Sequence, residues 1–73
     1  MSIIRYFDAT IDGHRRIQVV TAEDENGFDG LHGLEKPREF RPDELPTDFA
    51  SWKCYEAFAV TDAVVEVMSR DGD

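Results

Sequence analysis

Three prolines and three glycines fall between residues 22 and 46 of this 73-residue chain, so no long helix can run through that segment. It is an irregular connector between two more regular parts, residues 2–21 and residues 47–70. At this length we expect one small domain, residues 1–73. A domain of that size has room for one core and little room for a large enclosed active site.

Residues 2–21 predict an antiparallel β-hairpin, because two β-rich runs meet at Asp12-Gly13, a strong turn signal. A two-residue loop would place Phe7 opposite Gln18 and mix polar with apolar side chains on each face. We therefore favour a three-residue loop, with Gly13 in a left-handed conformation. That register gathers six apolar residues on one face: Ile3, Phe7, Ala9, Ile11, Ile17 and Val19.

Within the connector, residues 34–40 predict a short third strand, which Pro37 would restrict to a sheet edge. Residues 25–28 predict a tight turn in which Gly27 takes a positive φ. The same region contains the acidic stretch EDENGFDGLHG, residues 23–33. When Gly27 is placed at the sixth position of a calcium loop, Ala22 falls at position one and Gly33 at position twelve. Neither can serve as the ligand needed there, so a solvated turn is the better interpretation.

Residues 47–70 predict a helical segment, capped by Thr47 or Asp48 after Pro46. The overall prediction is then an α+β domain, with the hairpin packed against one or two C-terminal helices divided at Thr61-Asp62. A strand over residues 63–69 is the alternative, because three valines there favour sheets. The helix prediction depends on a broad apolar arc at helical spacing: Ala57, Phe58, Val60, Ala63, Val64, Val65, Val67 and Met68.

No catalytic or metal-binding motif connects His14, His32 and Cys54. Cys54 lies in an apolar stretch and is interpreted as a small core residue. We therefore expect a protein that is not an enzyme and that uses no metal and no cofactor. The first residues lack a signal-peptide h-region, and no run of about 18 apolar residues occurs. A cytoplasmic location is the resulting expectation.

Sixteen Asp and Glu against eight Lys and Arg give a net charge of −8, which disfavours direct binding to nucleic acid or to an anionic membrane. The excess is greatest in residues 21–48, which hold nine carboxylates and three basic side chains. Solubility alone would account for such a charge. The functional interpretation is complementarity to a basic protein surface. The predicted partner-binding residues are Glu23, Asp24, Glu25, Asp29, Glu35, Glu39, Asp43 and Glu44.

In size, acidity and lack of enzymatic motifs, the chain resembles the small inhibitors carried by phages and mobile elements, among them anti-CRISPR proteins and other DNA mimics. The resemblance includes no diagnostic motif, so no functional residue is transferred from it. It implies a stoichiometric inhibitor that occupies a nucleic-acid-binding surface of a host complex, in the host cytoplasm if the protein is phage-encoded.

A second hypothesis is a structural or regulatory subunit. It would form a homodimer or join another protein through an aromatic face of the helical segment, centred on Trp52.

Overall fold

A computed structural model describes residues 1–28 and 38–70, and every regular element longer than four residues within them is a β-strand. One antiparallel sheet has the strand order β3-β1-β2-β5-β4. Short 3-10 helices span residues 25–28, Pro42–Glu44 and Phe49–Ser51. The predicted α+β class is therefore wrong, because the fold is all-β. The strands are β1 (Ile3–Asp8), β2 (Arg16–Ala22), β3 (Glu39–Phe40), β4 (Lys53–Val60) and β5 (Ala63–Ser69).

Strands β1 and β2 form the N-terminal hairpin, but its loop has two residues and not three. Ile11 and His14 exchange both backbone hydrogen bonds, at 3.0 and 2.9 Å. Asp12 and Gly13 between them have φ values of 52° and 80°, as a type I′ turn requires. The left-handed Gly13 is thus confirmed, whereas the predicted three-residue register is wrong.

The observed register pairs Phe7 with Gln18 and Arg5 with Val20, which mixes polar and apolar side chains on one face. This is tolerated because both faces of the sheet are partly covered by irregular chain, so neither face has to be purely apolar. Arg5, for example, lies with its guanidinium carbon 4.4 Å from the centre of the Phe28 ring. The prediction failed because it assumed one buried face and one fully wet face.

The C-terminal part forms the β4–β5 hairpin in place of the predicted helix over residues 47–70. The side chains of Ala63, Val65, Val67 and Ser69 are buried at alternate positions, which is the period of a strand. Val64, between two of them, is 50% exposed. Valine on both faces made the pattern look like a wide helical arc. The alternative strand at residues 63–69 coincides with β5.

Asp48 does not begin a long helix. A single 3-10 turn, Phe49–Ser51, follows it, and Trp52 then returns to an extended conformation with φ −68° and ψ 151°. Trp52 is only 5% exposed, so its burial against the sheet fixes where this helical turn ends and β4 begins.

Two core clusters lie on opposite faces of the sheet. The front face is the side that carries Val20 and Val65, and the back face is the side that carries Ile17 and Met68. The front cluster consists of Val20, Ala22, Ala63 and Val65, against which Phe7, Phe28, Phe58 and Val60 pack. The back cluster consists of Ile17, Phe40 and Trp52, with Tyr6, Leu45, Phe49 and Met68 around them.

The predicted third strand, residues 34–40, lies mostly outside the described residues. Glu39 and Phe40 form β3, which pairs with Tyr6 and Phe7 of β1 at one edge of the sheet. Phe40 is 6% exposed and contributes to the back cluster, so this short strand brings the chain onto the back face.

Candidate functional site

The first half of the acidic stretch forms a compact loop, residues 23–28, at one end of the sheet. The Asp24 carboxylate accepts a hydrogen bond from the Asn26 amide at 2.9 Å, and its carbonyl accepts one from the Gly27 amide at 3.1 Å. These bonds close a turn at residues 24–27, one residue earlier than the predicted 25–28.

Gly27 is needed for close approach and not for a positive φ, which among the described glycines occurs at Gly13. A Cβ atom on Gly27 would lie 2.6 Å from the Ala22 Cβ and 3.4 Å from the Asp62 carbonyl oxygen. The predicted conformation of Gly27 was therefore wrong. The contact also shows that the 23–28 loop rests on the turn between β4 and β5.

Arg5 ties the loop to the sheet. Its guanidinium forms a close ion pair with Glu25, lies 3.8 Å from Glu39 on β3, and stacks over Phe28. The Arg5 side chain is 32% exposed, so both ion pairs are partly screened by water. Two of the predicted partner-binding carboxylates are thus already matched by one arginine.

A second group of predicted carboxylates surrounds Arg38 and Arg41. Glu44 lies 3.2 Å from Arg38 and 3.4 Å from Arg41, and it also accepts a hydrogen bond from the Arg41 amide. Asp43 lies 3.5 Å from Arg41. These contacts order the 3-10 helix Pro42–Glu44 and reduce the negative field that the two carboxylates project outward.

The remaining predicted residues differ in their surroundings. Glu23 is 81% exposed on its side chain, and the N-terminal amine 3.9 Å away is its charged partner. Asp24 is exposed and bonds to backbone only. Asp29 and Glu35 lie outside the described residues, so their assignment stays a prediction.

Three carboxylates that the sequence prediction did not include lie around the β4–β5 hairpin: Glu56, Asp62 and Glu66. Within residues 1–28 and 38–70, none of the three forms an ion pair with a basic side chain. Asp62 stands in the two-residue turn that contacts the 23–28 loop. The helix prediction missed this group because it placed Glu56 and Glu66 in helices and not in the two strands of a hairpin. The adjacent residues Thr61 and Asp62 between two β-rich runs were the available signal for a turn.

The prediction of an aromatic helical face for oligomerisation is wrong, because residues 53–60 and 63–69 are strands. Trp52 is buried, donates its indole N–H to Asp48 at 3.2 Å, and packs 5.5 Å from Phe49 between ring centres. Tyr55 is the exception, since it is 55% exposed. It lies at an irregularity in β4, where the register with β5 shifts between Cys54 and Glu56.

Cys54 is exposed on β4, so its assignment to the core is wrong. His14 is exposed beside the first hairpin turn, and His32 lies outside the described residues. In the part of the chain that the structure covers, no three His, Cys, Asp or Glu side chains come together as a metal site.

No helix in the described parts combines the length and the apolar character needed to cross a membrane. Comparisons with protein-family models, curated proteins and solved structures gave no match for this chain.

Proposed function

We propose that this protein is a non-enzymatic binding protein that places an acidic surface against a basic, nucleic-acid-binding surface of a partner protein and so inhibits it. In this proposal it acts in the cytoplasm and competes with nucleic acid without contacting it. The observation that carries the proposal is a group of exposed carboxylates at one end of the sheet, which we call the acidic end. It consists of Glu23, Asp24 and Asp62.

The antiparallel topology separates charge along the strands. The end of β2 and the β4–β5 turn lie at one end of the sheet, which is where the acidic end is found. At the opposite end, at or beside the other strand ends, the described residues include four basic side chains, Arg15, Arg16, Lys53 and Arg70, and three acidic ones, Asp8, Asp12 and Asp48, so that end is not acidic. This uneven distribution gives the molecule an electric dipole moment, and a basic partner is attracted to the acidic end.

Two of the three carboxylates at the acidic end, Asp24 and Asp62, also differ from most of the predicted acids in their pairing. Glu25, Glu39, Asp43 and Glu44 each have an arginine within 4 Å, which cancels much of their field. Asp24 and Asp62 have no such partner among the described residues. A partner's Lys or Arg can therefore pair with them without displacing an existing ion pair. We propose the acidic end as the centre of the contact, with the arginine-paired acids at its margin.

The test begins with affinity capture of partners from the source cells with the wild-type chain. A captured partner should bind nucleic acid, and the wild-type protein should displace that nucleic acid in a competition assay. Binding should weaken steeply as salt is raised, because exposed charges are screened over about 10 Å at 0.1 M ionic strength.

Two triple variants with the same change in net charge locate the contact. Glu23→Gln/Asp24→Asn/Asp62→Asn should weaken partner binding by about tenfold or more, whereas Glu39→Gln/Asp43→Asn/Glu44→Gln should weaken it far less. Equal losses would show that total charge and not the acidic end governs binding. Captured partners that bind equally well in the presence of excess nucleic acid would contradict the inhibitory role itself.

A further inference from the structure

Among residues 1–28 and 38–70, strand β4 is an open edge of the sheet. It is the last strand in the order β3-β1-β2-β5-β4, and within the described residues it pairs with β5 alone. Its eight residues are mostly exposed, including every one from Lys53 to Ala57. Exposed edge strands present a row of unpaired N–H and C=O groups, and proteins normally interrupt or cover them.

Only half of this edge carries a protective feature. The register shift between Cys54 and Glu56 bends the first half. The second half, residues 57–60, pairs regularly with β5. It contains no proline or lysine that would block pairing with another strand.

The register shows which backbone groups point outward. Val60 and Ala63 flank the two-residue turn, so they form a hydrogen-bonded pair, as Ile11 and His14 do in the first hairpin. Backbone direction alternates along a strand, so the N–H and C=O groups of Ala57 and Ala59 point away from β5. Both residues have small, exposed side chains, and a second strand can reach their backbones.

We propose that the occupant of this edge is a second copy of the chain, joined by antiparallel β4–β4 pairing about a twofold axis at Phe58. In that register Ala57 of the first copy exchanges backbone hydrogen bonds with Ala59 of the second, and Ala59 of the first copy does so with Ala57 of the second. The two sheets become one continuous sheet, and neither copy retains an open β4 edge.

One side-chain match favours a second copy over an unrelated strand. Phe58 packs on the front cluster and is only partly buried, and the twofold axis brings it opposite its own copy as a cross-strand aromatic pair. Counted by their partners on β5, Glu56 and Val60 each lie two positions from Phe58, on opposite sides of it. The axis therefore sets Glu56 of each copy opposite Val60 of the other, so no like charges face each other.

The back face offers additional surface next to the same edge. One row of the sheet there consists of Ile4, Thr21, Val64 and Ala59 in register across four strands. Ile4 is 51% and Val64 is 50% exposed. In the proposed register Ala59 faces Ala57 of the second copy, whose own neighbour on β5 is Glu66, so this row gains one small apolar side chain across the axis.

The experiment is sedimentation equilibrium of the full chain at micromolar concentrations. The wild type should sediment with a dimer mass. Ala59→Pro removes an outward N–H and leaves the β4–β5 bonds intact, so it should weaken self-association by at least about tenfold. Ala59→Ser keeps the amide and a small side chain and should remain dimeric. A monomeric wild type, or an Ala59→Pro variant as dimeric as the wild type, would overturn the proposal.

Amide hydrogen exchange provides a measurement that does not depend on any variant folding. The Ala57 and Ala59 amides should be protected in the wild type, and protection should fall on dilution. Fast exchange at all concentrations would contradict the pairing. A monomeric protein that still captures a basic partner would overturn this inference and leave the proposed function standing.

Discussion

At the scale of single residues, Gly27 holds the tightest contact at the acidic end. Gly27→Ala would bring a methyl group within 2.6 Å of the Ala22 side chain, which is itself 3% exposed and cannot move into solvent. We expect a loss of about 1–3 kcal/mol in the free energy of unfolding, as for other overpacked sites. Urea denaturation followed by circular dichroism measures it. Gly13→Ala is a useful comparison, since a Cβ there meets nothing within 4 Å and any loss comes from φ +80° alone.

Thr61 carries backbone strain in the β4–β5 turn. Its φ is 53°, a region that β-branched residues rarely adopt, whereas its neighbour Asp62 is not among the positive-φ residues. Thr61→Gly should therefore raise the free energy of unfolding by about 1 kcal/mol. Asp62→Gly should raise it less, because glycine there relieves no backbone strain and adds unfolded-state entropy. A thermal melt of the two variants decides the matter, and destabilisation by Thr61→Gly would contradict the strain.

At the scale of elements, Trp52 packs the chain that precedes β4 against the back face. It is buried beside Ile17 and Phe40, bonds to Asp48, and marks the start of β4. We expect Trp52→Ala to cost about 3–5 kcal/mol, a large share of the stability of a domain this small. Far-UV circular dichroism in urea follows the change. Tyr55→Ala, at an aromatic residue on the exposed edge, serves as the control and should cost much less. Equal losses would show that the back cluster does not depend on Trp52.

The two hairpins differ in how well the sequence predicts them. The Asp12-Gly13 turn and the first hairpin could be predicted because turn residues act locally. The β4–β5 hairpin could not, because Val64 on an exposed face gives a strand the hydrophobic arc of a helix. Four of the eight predicted acids have arginine partners: Asp43 and Glu44 pair with Arg38 and Arg41 nearby in sequence, and Glu25 and Glu39 pair with the distant Arg5. The pairing of Arg5 depends on the tertiary fold, and so does the meeting of Asp62 with the 23–28 loop.

At the scale of the whole molecule, repulsion between like charges should destabilise the acidic end, whereas ion pairs with arginines should stabilise other parts of the fold. The triple variant Glu23→Gln/Asp24→Asn/Asp62→Asn removes like charges from the acidic end, so we expect its melting temperature to rise by about 2–4 °C. Glu25→Gln/Glu39→Gln/Glu44→Gln removes the same charge but breaks contacts with Arg5, Arg38 and Arg41, and its melting temperature should fall. If differential scanning calorimetry shows both melting temperatures shifting in the same direction, the charge distribution described above is contradicted.

The central position of β2 and β5 has a consequence for how the chain reaches its native state. Each hairpin can close locally, but residues 16–22 must find residues 63–69 across the whole intervening connector before the front cluster can form. Contacts between residues this far apart in sequence slow folding. The entropy lost when the intervening loop closes grows only slowly with the length of that loop. The rate of folding should therefore depend on the β2–β5 junction, and insertions between residues 29 and 37 should change that rate only slightly.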